Sequence, residues 1–338
     1  MAWPWARRWS LDGKKVVFAG AALIRMGTPW GTLALVAQRA LEPMGYEVRI
    51  ETMSWGGNNP RYVGDGRCDL GATQYRSIED SYQGVRGREP QGRNLRLIAV
   101  INQPAWIAVA VRAASGITDL EQISVKRMPV RFKTGGERAI TTILDYYGLS
   151  RDKMVGWGGH PVSNAEAGFE PAPTSAPPDE PPARWFADLN PVASWIKDGA
   201  FDLIVDPIYA AYTPEHRHWW DASILHDLRF LPLPPDLIER IMARNEAEAP
   251  GFIPHRLMRG VDEDVPTVQR FPQAYYTREE TPEEFIYDVA KALDNNRHLF
   301  RQTHMPYSYD PENVAKPRRV PLHPGAERYY REVGYLSK

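Results

Sequence analysis

Four glycine-bearing loops carry the side chains best suited to holding a small molecule. Residues 27–32 offer Thr28, Trp30 and Thr32, and residues 55–60 offer Trp55, Asn58 and Asn59. Gln74, Tyr75 and Arg76 follow the next apolar run, and residues 133–138 add Lys133, Thr134 and Arg138. Hydroxyls, amides and cations orient a polar ligand, and flat rings wall it in. Each loop ends where a helical pattern begins, and the free N–H groups of a helix start favour carboxylate or phosphate. One glycine turn between two elements is ordinarily just a turn, so the argument rests on four in the same position. The expectation is that at least one of Arg76, Lys133 and Arg138 contacts an anionic ligand.

Asp206 and Tyr209 come just after the apolar run 201–205. A carboxylate there faces a ligand's ammonium or hydroxyl group, or caps the next turn. His216 and His218, with Asp221 and His226 nearby, have metal-binding chemistry. A spacing of two puts both rings on one face only in extended backbone, so surface or ring-stacked histidines are the expectation, with no metal and no other cofactor. An enzyme on this chain would use His160, Asp206, His216 and His218 as its titratable groups. The nucleotide P-loop, a full G-x-G-x-x-G after a strand and the G-x-S-x-G nucleophile elbow are all missing.

The elements that position these residues alternate. Residues 15–20 read as a buried strand, 33–44 as a helix stopped by Gly45, 46–53 as a strand and 69–73 as a third strand after a short helix. That β-α-β-α-β opening is the mark of a parallel sheet. Residues 95–111 hold two strand-like runs around Pro104, 128–132 another, and a helix runs to Tyr147 before Gly148. Residues 168–182 are Pro-rich and aperiodic, a surface excursion of polyproline character. A helix is expected to end at Lys197, a strand to run from 201 to 205, and a tail helix to run from 282 to 295 with Thr281 as its N-cap.

At 338 residues the chain exceeds what one core ordinarily supports, so two lobes are expected. Its 41 basic and 42 acidic side chains nearly cancel, which gives no footprint for nucleic acid or an anionic membrane. Cys68 is the only cysteine, so no internal disulfide forms. No run of about 18 apolar residues exists to insert directly into a membrane. The first residues lack the apolar stretch of a secretory signal. The protein is therefore expected to be periplasmic if a signal has been removed, and cytoplasmic otherwise.

Several motifs resemble the TAXI-type solute receptors of tripartite ATP-independent periplasmic (TRAP) transporters, within the type II periplasmic binding proteins and their NMT1-like relatives. They are Gly27-Thr28-Pro29-Trp30-Gly31-Thr32, Gly56-Gly57-Asn58-Asn59, Gly66-Arg67-Cys68-Asp69-Leu70-Gly71, Gly135-Gly136-Glu137-Arg138 and Lys197-Asp198-Gly199. The run 264–268 and the C-terminal Pro321-Leu322-His323-Pro324-Gly325-Ala326-Glu327-Arg328-Tyr329-Tyr330 are the closest. The resemblance implies an α/β fold of two Rossmann-like lobes with two hinge crossings. Lobe one would hold 1–110 and 255–338, and lobe two 111–254. It implies a central cleft closing on a small carboxylate, and the membrane subunits of a TRAP transporter as partners. Trp30 stands where the family has glycine, which with Trp55 and Tyr75 suggests a flat, aromatic acid. Glu137 replaces a small residue and adds negative charge. Some relatives of this fold are cytosolic decarboxylases of aromatic acids, which is the alternative reading, and a ligand-sensing regulator is a third.

Overall fold

The computed structural model describes residues 14–20, 28–52, 59–84, 92–162 and 192–337. Trp55, Asn58, Gly27 and the Pro-rich stretch 168–182 lie outside the described residues. The chain divides into two units, one of residues 1–103, 213–215 and 271–338, the other of 104–212 and 216–270. Sequence reading set the crossings near 110 and 255. The boundaries fall instead at Gln103/Pro104 and Arg270/Phe271, because the strands on either side of residue 255 both belong to the second unit's sheet.

In the first unit, strands β1 (Lys15–Gly20), β2 (Glu47–Thr52), β3 (Leu70–Gln74), β4 (Leu95–Ile101) and β12 (Gln273–Arg278) form a sheet of order β2-β1-β3-β12-β4. β1 pairs parallel to β2 and β3, as the opening pattern predicts. β12 is antiparallel to both β3 and β4, so the sheet is mixed. The helix Pro29–Leu41 begins four residues earlier than its apolar periodicity suggests. Pro29 is pre-set for its first position, and Thr28 Oγ1 accepts from Gly31 N at 3.2 Å. Its Leu33, Ala37 and Leu41 pack with Phe285, Val289 and Leu293 of the helix Glu283–Asn295. Thr281 does not cap that helix. Pro282 holds the cap position, and Thr281 Oγ1 instead meets Thr277 Oγ1 at 2.7 Å.

In the second unit, β5 (Ala105–Arg112), β6 (Arg131–Thr134), β7 (His160–Pro161), β8 (Leu203–Tyr209), β9 (Leu228–Phe230), β10 (Ala249–Ile253) and β11 (Val265–Gln269) form a seven-stranded sheet. Its order is β10-β11-β5-β8-β6-β7, with β9 also on β5. Side chains of a strand alternate between faces. Accordingly Ile107, Val109 and Val111 enter one core, and Trp106, Ala108 and Ala110 the other. Among the described residues no helix is long and apolar enough to cross a membrane.

Candidate functional site

The same alternation places the second unit's polar cluster. Ile204 and Ile208 of β8 enter the core that holds Trp195 and Trp219, so Asp206 between them faces that side. Lys133 pairs with Ile204 in the parallel β6/β8 ladder and shares that face, opposite to Phe132. The ladder ends at Thr134 and Val205, with Gly135 N donating to Val205 O at 2.9 Å. Beyond that point β8 tolerates Pro207, whose carbonyl accepts from Trp219 Nε1 at 2.8 Å. A Cβ on Gly135 would collide with Asp206 Oδ1, so this position needs glycine.

Asp206 is the hub. Its Oδ2 accepts from Lys133 Nζ at 2.7 Å and lies 3.0 Å from His218 Nε2 and 3.4 Å from His216 Nδ1. His216 ends the 3-10 turn Pro214–His216 and His218 opens the helix His218–Leu225. The two rings thus come to one carboxylate in helical backbone, not in the extended backbone that a spacing of two suggested. Burial would raise the Asp206 pKa. The Lys133 ammonium and the hydrogen bonds from both histidines outweigh it and hold the carboxyl well below its usual range. Burial pushes the His218 imidazole down to about 3, and Lys133 adds to that shift against the opposing bond to Asp206.

Tyr209, at the end of β8, is buried, with its ring centroid 5.0 Å from that of His216. Sequence reading missed Arg270, which sits just after β11 and two residues beyond the motif 264–268. Its Nη1 donates to Tyr209 Oη, its Nε to Glu137 Oε1 at 2.5 Å, and its guanidinium lies over the Tyr209 ring at 5.4 Å. The extra negative charge expected of Glu137 is therefore matched locally. Thr134 ends β6 and Arg138 opens the helix Arg138–Tyr146. His160 is exposed on β7, where it pairs with Arg131, and is not part of the Asp206 cluster.

The first unit's candidates are more strongly engaged in the fold itself. Thr28 caps its helix, Trp30 Nε1 donates to Gln273 Oε1 at 2.9 Å, and Thr32 Oγ1 lies 3.4 Å from His304 Nδ1. Gln74 takes the N-cap position of the helix Tyr75–Gln83, and its side chain does not cap that helix. Tyr75 is a core residue beside Phe271, with Arg318 over its ring at 4.8 Å. Arg76 pairs with Glu79 at 2.9 Å and Asp80 at 3.0 Å. Both Arg76 and Lys133 thus have carboxylate partners of their own.

Two sheets of order β2-β1-β3-β12-β4 and β7-β6-β8-β5-β11-β10, each receiving one strand just after a crossing, define the α/β type II periplasmic-binding-protein fold. The model of the NMT1-like family matches residues 191–334. No curated protein matches the chain. Among solved structures, the chain is similar to a glycine betaine/L-proline-binding protein of an ABC transporter from Borrelia burgdorferi. Identity is 14%, 87% of this chain and 98% of that one are covered, and the TM-score is 0.41. It is also similar to a Xanthomonas citri protein bound to chloride, at 11% identity, 95% and 96% coverage and a TM-score of 0.45. The periplasmic aliphatic sulphonate-binding protein of Escherichia coli gives 11%, 94% and 78%, and 0.39.

Proposed function

We propose that this protein is a solute receptor whose second unit holds a small organic acid at the ends of β6 and β8. The observation that carries this reading is the pre-formed array of Lys133, Asp206, Tyr209 and Arg270, with Glu137 neutralising Arg270 from one side. A guanidinium has five N–H donors in a planar fork. Arg270 uses Nε and Nη1 on Glu137 and Tyr209, and among the described residues its Nη2 makes no hydrogen bond. A carboxylate approaching Nη2 beside the Tyr209 ring would find an N–H donor and a flat wall, which supports an aromatic acid. The C-terminal motif 321–330 supports a TAXI-type receptor in the periplasm, serving the membrane subunits of a TRAP transporter.

The test is native mass spectrometry of the untagged full chain for a carried-over molecule, followed by titration of aromatic and aliphatic carboxylates read by tryptophan fluorescence. One charge-assisted bond contributes about 1.5–3 kcal/mol, so Arg270→Ala should weaken the best acid about ten- to hundredfold. An Arg270→Ala variant that binds as tightly as the parent, or a parent that binds no acid of the panel, overturns the reading.

A further inference from the structure

We propose that Asp206, His216 and His218 form a binding site for a borderline divalent cation such as Zn²⁺ or Co²⁺, for which the Lys133 ammonium competes. The three side chains each present one ligand atom, and these atoms all lie within 4.8 Å of one another. Two of the separations, 3.0 Å and 3.4 Å from Asp206 Oδ2 to the imidazole nitrogens, decide the geometry. A tetrahedral ion with bonds of about 2.0–2.1 Å has ligand atoms roughly 3.3–3.4 Å apart, so the cluster needs only small shifts to enclose one. Two imidazoles and one carboxylate are the donor set of open sites for Zn²⁺ and similar ions, and they leave a fourth position for water or a ligand.

Trp195 and Trp219 flank the His218 ring, with centroids 6.5 Å and 5.6 Å away, which fixes its orientation in an apolar surround. The His216 side chain is 11% exposed, the most of the three ligands. Lys133 Nζ stands 2.7 Å from the same oxygen that an ion would use. Ammonium and divalent cation cannot share it, so metal binding must move Lys133 off Oδ2.

Chelator-treated, untagged full chain is titrated with Co²⁺ and followed by visible absorption, and with Zn²⁺ by calorimetry. One equivalent is expected to bind, with the intense bands of a tetrahedral Co²⁺ site. His216→Ala, at the most exposed of the three ligands, should weaken binding at least about tenfold while leaving the far-ultraviolet circular dichroism of the apoprotein unchanged. Lys133→Met should tighten binding about tenfold or more by removing the competing charge. The proposal is overturned if neither parent nor Lys133→Met binds one equivalent at millimolar metal. It is equally overturned if His216→Ala binds as the parent does, or if the Co²⁺ spectrum is that of an octahedral aquo ion.

Discussion

Asp206 and Asp69 are both buried carboxylates, and their surroundings drive them in opposite directions. Asp206 has a lysine in contact and two imidazoles beside it. Asp69 accepts one backbone N–H, from Val17 at 2.8 Å, while Arg278 stays 3.8 Å away. Burial therefore dominates and pushes its carboxyl up to about 7, against the opposing Val17 bond and Arg278 charge. The folded chain then holds a proton that the unfolded chain releases near pH 4. The stability linked to this group is complete below about pH 4 and is lost as pH rises to about 7. Three units correspond to on the order of 4 kcal/mol. Asp69→Asn keeps the acceptor for Val17 and removes the titration. Denaturant melts across pH 4–7 should show a shallower loss of stability in the variant, and parallel curves would exclude Asp69 as the cause.

At the scale of elements, the helix Pro324–Glu332 shows why a sequence motif has the form it does. His323 caps it, its Nδ1 accepting from Gly325 N at 3.2 Å, and Pro324 takes the first position. Gly325 lies so close to the helix Glu283–Asn295 that a Cβ would collide with the Glu283 carbonyl and reach 2.8 Å from the Tyr287 nitrogen, both backbone atoms. Backbone cannot yield as a side-chain tip does, so Gly325→Ala should cost about 2–3 kcal/mol, read as a lowered urea midpoint. Arg328, which bonds Glu283 and Glu284 at 2.8–2.9 Å across the same pair of helices, is a surface contact. Arg328→Ala should cost under about 1 kcal/mol. Equal effects for the two variants would show that the close approach is not what holds these helices together.

At the scale of the molecule, the two units differ in how the chain supplies them. β12 stands between β3 and β4, so the first sheet is incomplete until residues 273–278 exist. A fragment of residues 1–103 would leave β3 and β4 without the strand between them, and no cooperative melt is expected. Residues 104–270 contain every strand of the second sheet and its two cores, and that fragment should melt cooperatively by circular dichroism. A non-cooperative 104–270 fragment, or a cooperative 1–103 fragment, would contradict this division.

Local pattern was enough to read β1 to β6, β8 and the helix Glu283–Asn295, but not β7 or β9 to β12. Apolar runs of four to eight residues with Gly and Pro at their ends mark β1, β3, β5 and β8, and the residues just after such runs include Lys133, Asp206 and Tyr209. The pairing of Arg76 with Glu79 and Asp80, three and four residues on along one helix face, was not read from the sequence, which offered Arg76 only as a ligand cation. What the sequence could not disclose are the pairings across long separations. Lys133 with Asp206 spans 73 residues and Glu137 with Arg270 spans 133. These depend on sheet register, on β8 lying between β5 and β6, and no spacing rule encodes that. The histidines show the same limit. Whether His216 and His218 meet depends on their backbone, and Trp219 packing into the core, with its indole bonded to Pro207, holds that backbone in a helical turn. Residue types and spacing therefore determined which groups were available for chemistry. Tertiary packing decided which charges were matched and which side chains converged, because only burial and register bring distant groups within bonding distance.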